Sequence, residues 1–422
     1  MGEQSRGKDS GQKLKLTRQE RGWILYDVGN SAFILLVSTI IPIYFDQLAS
    51  DAGLSEVRYL AYWGYGVSIS TAVVALIGPV LGTMADRRGR KKPLFAACMM
   101  VGALGCAAMA FPVSWQGFLA VFVLAKVGYN ASLIFYDAML TDITIPERFD
   151  QISSQGYAWG YIGSCIPFVF SLALVLLHPS LKISMKTAMA LTFFLNSIWW
   201  FLLSVPLLKG YVQKHYVEVP AHPVRSSFKR LAGTLQDIRG QKKIFLYLLA
   251  FFFFIDGVYT IIEMATAYGS ALGLEQSQLL LALLLTQVVA FPCALIFAGI
   301  SKRYATDFLL KIAILAYAGI SVFAIGLDAQ WEFWVLAVSV GMFQGAIQAL
   351  SRSYFAKIIP SDRAGEYFGI YDICGKGASF LGTTLVGLVA QITGKANVGV
   401  AMLTVLFVVG YVLFGKAAEM EG

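Results

Sequence analysis

The chain has 422 residues, 57% of them hydrophobic and only 14% charged. A soluble protein would carry about 25% charged residues, and a hydrophobic share this large matches about twelve membrane spans of ~20 residues, so a soluble core is excluded. The net charge of +8 would suggest nucleic acid in a soluble protein, but no basic patch interleaved with aromatics is present, and the cations are sorted by side in the manner of a membrane topology signal.

Residues 1–21 are polar and basic and read as a disordered cytoplasmic tail without the apolar region of a signal peptide. Arg6 stands where a myristoylation signal needs Ser or Thr. Apolar runs follow at 22–45, 60–84, 93–112, 117–141, 152–177 and 187–208, a six-helix bundle over 22–208. Residues 209–243 form a cytoplasmic linker with eight Lys and Arg, and 226–238 is expected to be an amphipathic helix at the membrane surface. Further runs at 244–268, 277–300, 308–327, 332–356, 365–392 and 398–416 make a second six-helix bundle over 244–416, followed by a short tail, 417–422. The fold class is therefore an all-α polytopic membrane protein of 12 transmembrane helices in two pseudo-symmetric bundles.

An even number of spans puts both termini on one side. Arg58, Lys182, Lys186 and Lys395 fall on the opposite side, Lys126 and Lys376 lie deep within spans, and the remaining Lys and Arg gather with the termini. That bias makes the terminal side cytoplasmic. Five scattered cysteines in apolar segments have no metal-ligand spacing and read as small core residues. His178, His215 and His222 are isolated in loops and read as solvated.

The most informative loop is 82–92, with Asp86 and five cations between two apolar runs. Gly82 and Gly89 permit a tight turn, and Asp86 adds nothing to a positive-inside anchor. It suits a neighbouring helix N-terminus, where the dipole favours an anion. The start of span 11 near Gly365 is the natural neighbour, so a gating latch is expected. The turn Ile145-Pro146-Glu147-Arg148 returns as Ile359-Pro360-Ser361-Asp362-Arg363 about 214 positions later, each before a glycine-rich span. Six-span repeats of this kind are the layout of a secondary transporter rocking about a midplane site.

Gly82-x-x-x-Asp86-Arg87-x-Gly89-Arg90-Lys91 resembles the loop 2–3 signature of the major facilitator superfamily. Within it the chain is similar to the vacuole-effluxer-like branch, related to autophagy-associated permeases. The matching pieces are Tyr26-Asp27-x-x-Asn30-Ser31-Ala32-Phe33, Phe135-Tyr136-Asp137-Ala138, Ser154-x-Gly156-Tyr157-x-x-Gly160, Asp256-Gly257-Val258, Gln348-Ala349-Leu350-Ser351-Arg352-Ser353 and Glu366-Tyr367-Phe368-Gly369. The equivalent loop in the second half, Gly299 to Thr306, lacks the Asp and the second Gly, so a weaker latch is expected there.

The resemblance implies a transporter whose spans 1, 4, 7 and 10 line the cavity. Intramembrane charges are costly and mark function. Lys126, Asn130 and Asp137 share one face of span 4, and Asp256, Tyr259 and Glu263 share one face of span 7. Span 10 adds Gln344 and Gln348, with Arg352 near its cytoplasmic end; span 1 adds Asp27 and Asn30, with Asp27 expected to pair with span 4 or 11. Asp372 and Lys376, at i and i+4, are expected to be a structural ion pair. Asp256 or Glu263 suits reversible protonation, and Lys126 opposite them suits a substrate carboxylate. These features favour secondary active efflux of an amino acid or small peptide by alternating access, with protons as possible coupling partners. The alternatives are export of an amphiphilic or drug-like compound and a non-transporting scaffold or sensor. No catalytic pairing, cofactor motif or metal set is visible, so no enzyme is expected; the expected form is a monomer in the bilayer of a bacterial plasma membrane, with no nucleic-acid partner.

Overall fold

The computed structural model describes residues 15–111, 114–218, 233–234, 236–271, 275–327, 329–393 and 396–420; some helical side chains, including those of 263–268 and 377–381, lie outside the description. The described residues form twelve long helical units. α1 runs over Arg18–Ser38 and, after a 40° bend at Thr39, over Ile40–Asp51. α2 is Glu56–Ala85, α3 Lys91–Ala108, α4 Trp115–Ala138 with a further turn at Leu140–Ile143, α5 Phe149–Leu177 and α6 Met185–Gly210. α7 is Lys242–Ala271, α8 Gln276–Ile300, α9 Thr306–Ile325, α10 Gln330–Ile358, α11 Ala364–Thr393 and α12 Ala396–Glu419. Among the described residues, ten helices are long and apolar enough to cross a membrane and the bent α1 makes an eleventh. α11 carries its apolar stretch at Gly382–Thr393, behind a first half that holds Glu366, Asp372 and Lys376.

α1 begins earlier than the 1–21 tail allows. Thr17 and Glu20 form a reciprocal capping box that satisfies two orphan backbone donors and starts the helix at Arg18. Glu20 is buried, accepts a bond from the Thr144 hydroxyl at 2.7 Å and pairs with Arg148 at 3.1 Å, so this end is tied to the α4–α5 turn. The bend at Thr39 has a local cause. Pro42 has no N–H for the Ser38 carbonyl one turn back, and the helix opens there. Part of the expected 226–238 surface helix lies outside the described residues; 236–240 are helical.

In the first half α1 packs on α5 and α6, α3 on α4 and α6, and α2 on α4; in the second, α7 packs on α11 and α12, and α9 on α10 and α12. Between the halves α2 meets α11 and α5 meets α8. A shift of six helices exchanges these two pairs, as a duplication requires. On the side holding the 82–92 loop and the first and last described residues, Lys15 and Met420, hereafter the hinge side, the halves touch. On the far side a cavity of about 350 Å³ opens between α1, α2 and α8, lined by Ser38, Thr39, Pro42, Asp46, Tyr59 and Leu283, so the bend in α1 faces it.

Candidate functional site

The hinge is built backbone to backbone. A Cβ on Gly82 would lie 2.1 Å from the Gly365 carbonyl oxygen, and one on Gly365 would lie 2.6 Å from that of Gly82, so only glycine lets α2 and α11 approach this closely. Asp86, fully buried, then accepts the Gly365 N–H at 2.7 Å and the Glu366 N–H at 2.9 Å. These are orphan donors of the first turn of α11, and the helix dipole adds to the attraction. Gly89 sits at φ +70° and turns the chain into α3. Arg87 is half-buried and Arg90 exposed, while the Arg88 guanidinium lies 5.4 Å from the Tyr216 ring.

The loop is more than a solvated charge cluster. Lys91 is fully buried and donates to Asp142 at 3.0 Å. Asp142, at the end of the α4 turn, also accepts from the Tyr211 hydroxyl at 2.5 Å, the backbone N–H groups of Lys214 and His215, and faces the His215 ring nitrogen at 3.1 Å. Burial, with the Asp142 charge beside it, pushes the Tyr211 phenol far up, so it stays a donor. His215 is therefore part of this network rather than merely solvated. The start of the linker straps the hinge from beneath, with the Val217 N–H on the Asp86 carbonyl at 2.8 Å and the Gln213 amide on that of Ala85 at 3.1 Å. Residues after the undescribed part of the linker reach the other side of the same contact, where Thr234 bonds Glu366 and Arg363, and Asp237 pairs with Arg363 at 3.2 Å.

The equivalent hinge in the second half lacks a loop carboxylate, yet a contact forms there. Asp150, in the first turn of α5, accepts the Thr306 hydroxyl at 2.6 Å, the Ser353 hydroxyl at 2.6 Å and the Lys357 ammonium at 2.7 Å. The absent Asp made a weaker latch the expectation; the anion instead comes from the facing helix.

Above these contacts lies a central cavity of about 90 Å³. α4 supplies Leu133 and Asp137, α5 Tyr157, α7 Phe251, Ile255 and Tyr259, α10 Gln348 and Arg352, and α11 Tyr371, Asp372, Gly375 and Lys376. Two ion pairs line it. Asp137 pairs with Arg352 at 3.0 Å, and Asp372 with Lys376 on their own helix. The Lys376 ammonium also reaches the Asn130 carbonyl at 3.5 Å. Gln348 donates to the Tyr161 hydroxyl at 3.3 Å.

Of the residues singled out from sequence, Asp137, Tyr259, Gln348, Asp372 and Lys376 meet at this cavity. Asn130 and Gln344 are buried beside it on α4 and α10. Asn30 is buried with its amide donating to the Tyr26 carbonyl of its own helix at 2.9 Å. Lys126 lies outside the lining, its ammonium 6.0 Å from the Phe122 ring. Asp256 is fully buried behind the cavity, where it accepts the Gly382 N–H at 2.9 Å and joins α7 to α11. The Glu263 side chain lies outside the described residues. Asp27 has its cation on α10, Arg352 at 3.8 Å, with Tyr136 of the expected span 4 beside it.

Arg352, expected from the sequence only as a cation near the cytoplasmic end of span 10, is the most enclosed charge of the cavity lining. Its signal was present, since Ser351-Arg352-Ser353 puts a cation among small polar residues inside an apolar run. Only 2% exposed, it donates to the Ser153 hydroxyl at 2.9 Å and carbonyl at 3.1 Å, and its guanidinium lies 4.5 Å from the Trp23 and Tyr157 rings and 5.4 Å from the Tyr136 ring.

A family model described as "Vacuole effluxer Atg22 like" matches residues 17–421. The chain belongs to the vacuole effluxer Atg22-like family. The uncharacterized MFS-type transporter YxiO of Bacillus subtilis (strain 168) is 41% identical over 410 residues, 96% of each chain. Autophagy-related protein 22 of Cryptococcus neoformans is 27% identical over 295 residues, 64% of this chain and 53% of that protein. The E. coli fucose:proton symporter FucP superposes with a TM-score of 0.71 at 16% identity, over 96% of this chain and 98% of that one; the human organic anion transporter MFSD10 gives 0.67 at 15%, over 94% and 99%. The Atg22-like chain is thus a multi-pass membrane protein with the fold of MFS-type secondary transporters.

Proposed function

We propose that this Atg22-like protein exports a small zwitterion, an amino acid or short peptide, from the cytoplasm by alternating access. The observation that carries this reading is the pairing of charges at the central cavity. Asp137 with Arg352 and Asp372 with Lys376 set two anions and two cations against one small volume between the halves. Fixed charges in low dielectric are expensive unless exchanged for complementary ones. A solute with one ammonium and one carboxylate can open both pairs and satisfy all four groups. Tyr157, Phe251, Tyr259 and Tyr371 add an aromatic wall for an apolar side chain.

Closed contacts on the hinge side and an open cavity on the far side describe an outward-facing state. The Lys and Arg bias supports a cytoplasmic hinge side and, with the bacterial relative, a plasma membrane. Asp86 on the first turn of α11 acts as the latch. Proton coupling falls to Asp137 and Asp372, which line the cavity, whereas Asp256 lies behind it. Efflux is the direction named for the family.

Counterflow in proteoliposomes tests the reading. Labelled amino acids or dipeptides should exchange saturably, with dependence on an imposed pH gradient, and Asp372→Asn or Lys376→Gln should cut exchange by ~10-fold or more. No exchange of any amino acid, dipeptide or amphiphile by folded protein overturns transport; exchange of amphiphiles alone moves the substrate class.

A further inference from the structure

Arg352 of α10 is seated in a socket built wholly by the first half. Trp23 and Asp27 come from α1, Tyr136 and Asp137 from α4, and Ser153 and Tyr157 from α5. Two carboxylates and three ring faces surround one guanidinium, with two further bonds to Ser153. Ring faces within ~6 Å attract an organic cation, and the attraction grows when water is excluded. The socket is deliberately tight, because a Cβ at residue 156 would lie 2.8 Å from the Asp27 carboxylate and 2.9 Å from the Trp23 ring, and Gly156 leaves that space.

Opening the hinge side requires α10 to leave α5, which breaks both Ser153 bonds and withdraws Arg352. Asp27 and Asp137 then remain in an aromatic, largely buried pocket with no cation. Removing one partner of such a buried pair is strongly destabilising, because the charge left behind has neither water nor a counter-ion. A second observation says what replaces it. Asp27 is 6% exposed, and its Oδ2 stands 3.8 Å from Nη2, beyond hydrogen-bond distance, with the neutral Tyr136 hydroxyl and Asn30 amide beside it as polar neighbours. The tethered arginine therefore stops short of this oxygen, which a free cation can approach more closely.

We propose that this socket is a second cation site, filled by Arg352 in the outward-facing state and by the primary ammonium or guanidinium head of the solute when the hinge side opens. Arg352 is then a tethered competitor of the solute, and each passage exchanges one organic cation for another on Asp27 and Asp137. The inference rests on the alternating-access, zwitterion reading above.

The test uses the full chain in lipid nanodiscs with methylguanidinium and methylammonium chloride as probes, against sodium chloride at equal ionic strength, read as the thermal unfolding midpoint. Two variants vacate the socket independently, Asp86→Ala by releasing the latch and Arg352→Ala by truncation; Arg352→Gln replaces the latter if it does not fold. Both should be stabilised by methylguanidinium at concentrations ~10-fold below those needed for the wild type, and Asp27→Asn with Asp137→Asn on either background should abolish the effect. Equal response in wild type and variants, a response surviving the double Asn change, or dependence on pH alone overturns the proposal. Binding without amino-acid exchange in liposomes sinks the zwitterion reading and keeps the socket, whereas exchange without binding sinks the socket alone.

Discussion

The two hinge-side contacts related by the duplication use opposite chemistry. Between α2 and α3 the loop supplies the anion, and Asp86 binds the first amides of α11. Between α8 and α9 the chain supplies the Thr306 hydroxyl at the start of α9, and the anion is Asp150 of the facing helix α5. The first contact concentrates its energy in one carboxylate on two N–H groups, with glycine backbones pressed together behind it. The second spreads over three donors, Thr306, Ser353 and Lys357, from two helices. What the repeat has kept is the electrostatic demand at a helix N-terminus, which is met in trans in one half and in cis in the other. The concentrated latch should be the steeper switch and the distributed one the more tolerant.

The comparison can be broken most forcefully at Asp86. Asp86→Ala leaves two buried amides unsatisfied and should move the outward/inward balance by ~2–4 kcal/mol, a population change of ~30-fold or more, read from cysteine accessibility on the hinge side. Gly365→Ala should act in the same direction, because its Cβ would meet the Gly82 carbonyl at 2.6 Å and Asp86 at 2.7 Å, and backbone cannot yield cheaply. Asp150→Asn keeps part of its acceptor set and should cost ~1–2 kcal/mol by the same readout. Thr306→Val, which removes one of three donors, should cost about 0.5–1 kcal/mol and leave exchange rates nearly unchanged. An Asp150 effect equal to that of Asp86 would dissolve the distinction.

Much of this was legible in the sequence. Apolar runs, the sorting of cations and the repeated Ile-Pro turn gave the helices and their grouping, because the membrane imposes period and length on each segment independently. Asp86 could be aimed at α11 because a lone carboxylate among cations asks for a helix N-terminus. Arg352 could not be given its role, since its partners Asp27, Asp137 and Ser153 lie about 200 to 325 positions away and on the other half. Periodicity on a single helix gives no information about what the other half offers. The same limit hid Asp150 as an inter-half anchor and Asp142 as the post joining Lys91, Tyr211 and His215. Asp256 looked deep, and it is buried, but periodicity on its own helix could not show that one of its oxygens accepts the Gly382 N–H of α11.

The central claim, that Asp86 holds the hinge side shut, is tested most directly by pulsed electron-spin distances in nanodiscs between labels at Lys92 and Asp362, in a background with the native cysteines replaced. The wild type should give a single short distance and Asp86→Ala a second, longer one as the major population, with Asp150→Asn between the two. Identical distance distributions in wild type and Asp86→Ala would contradict it.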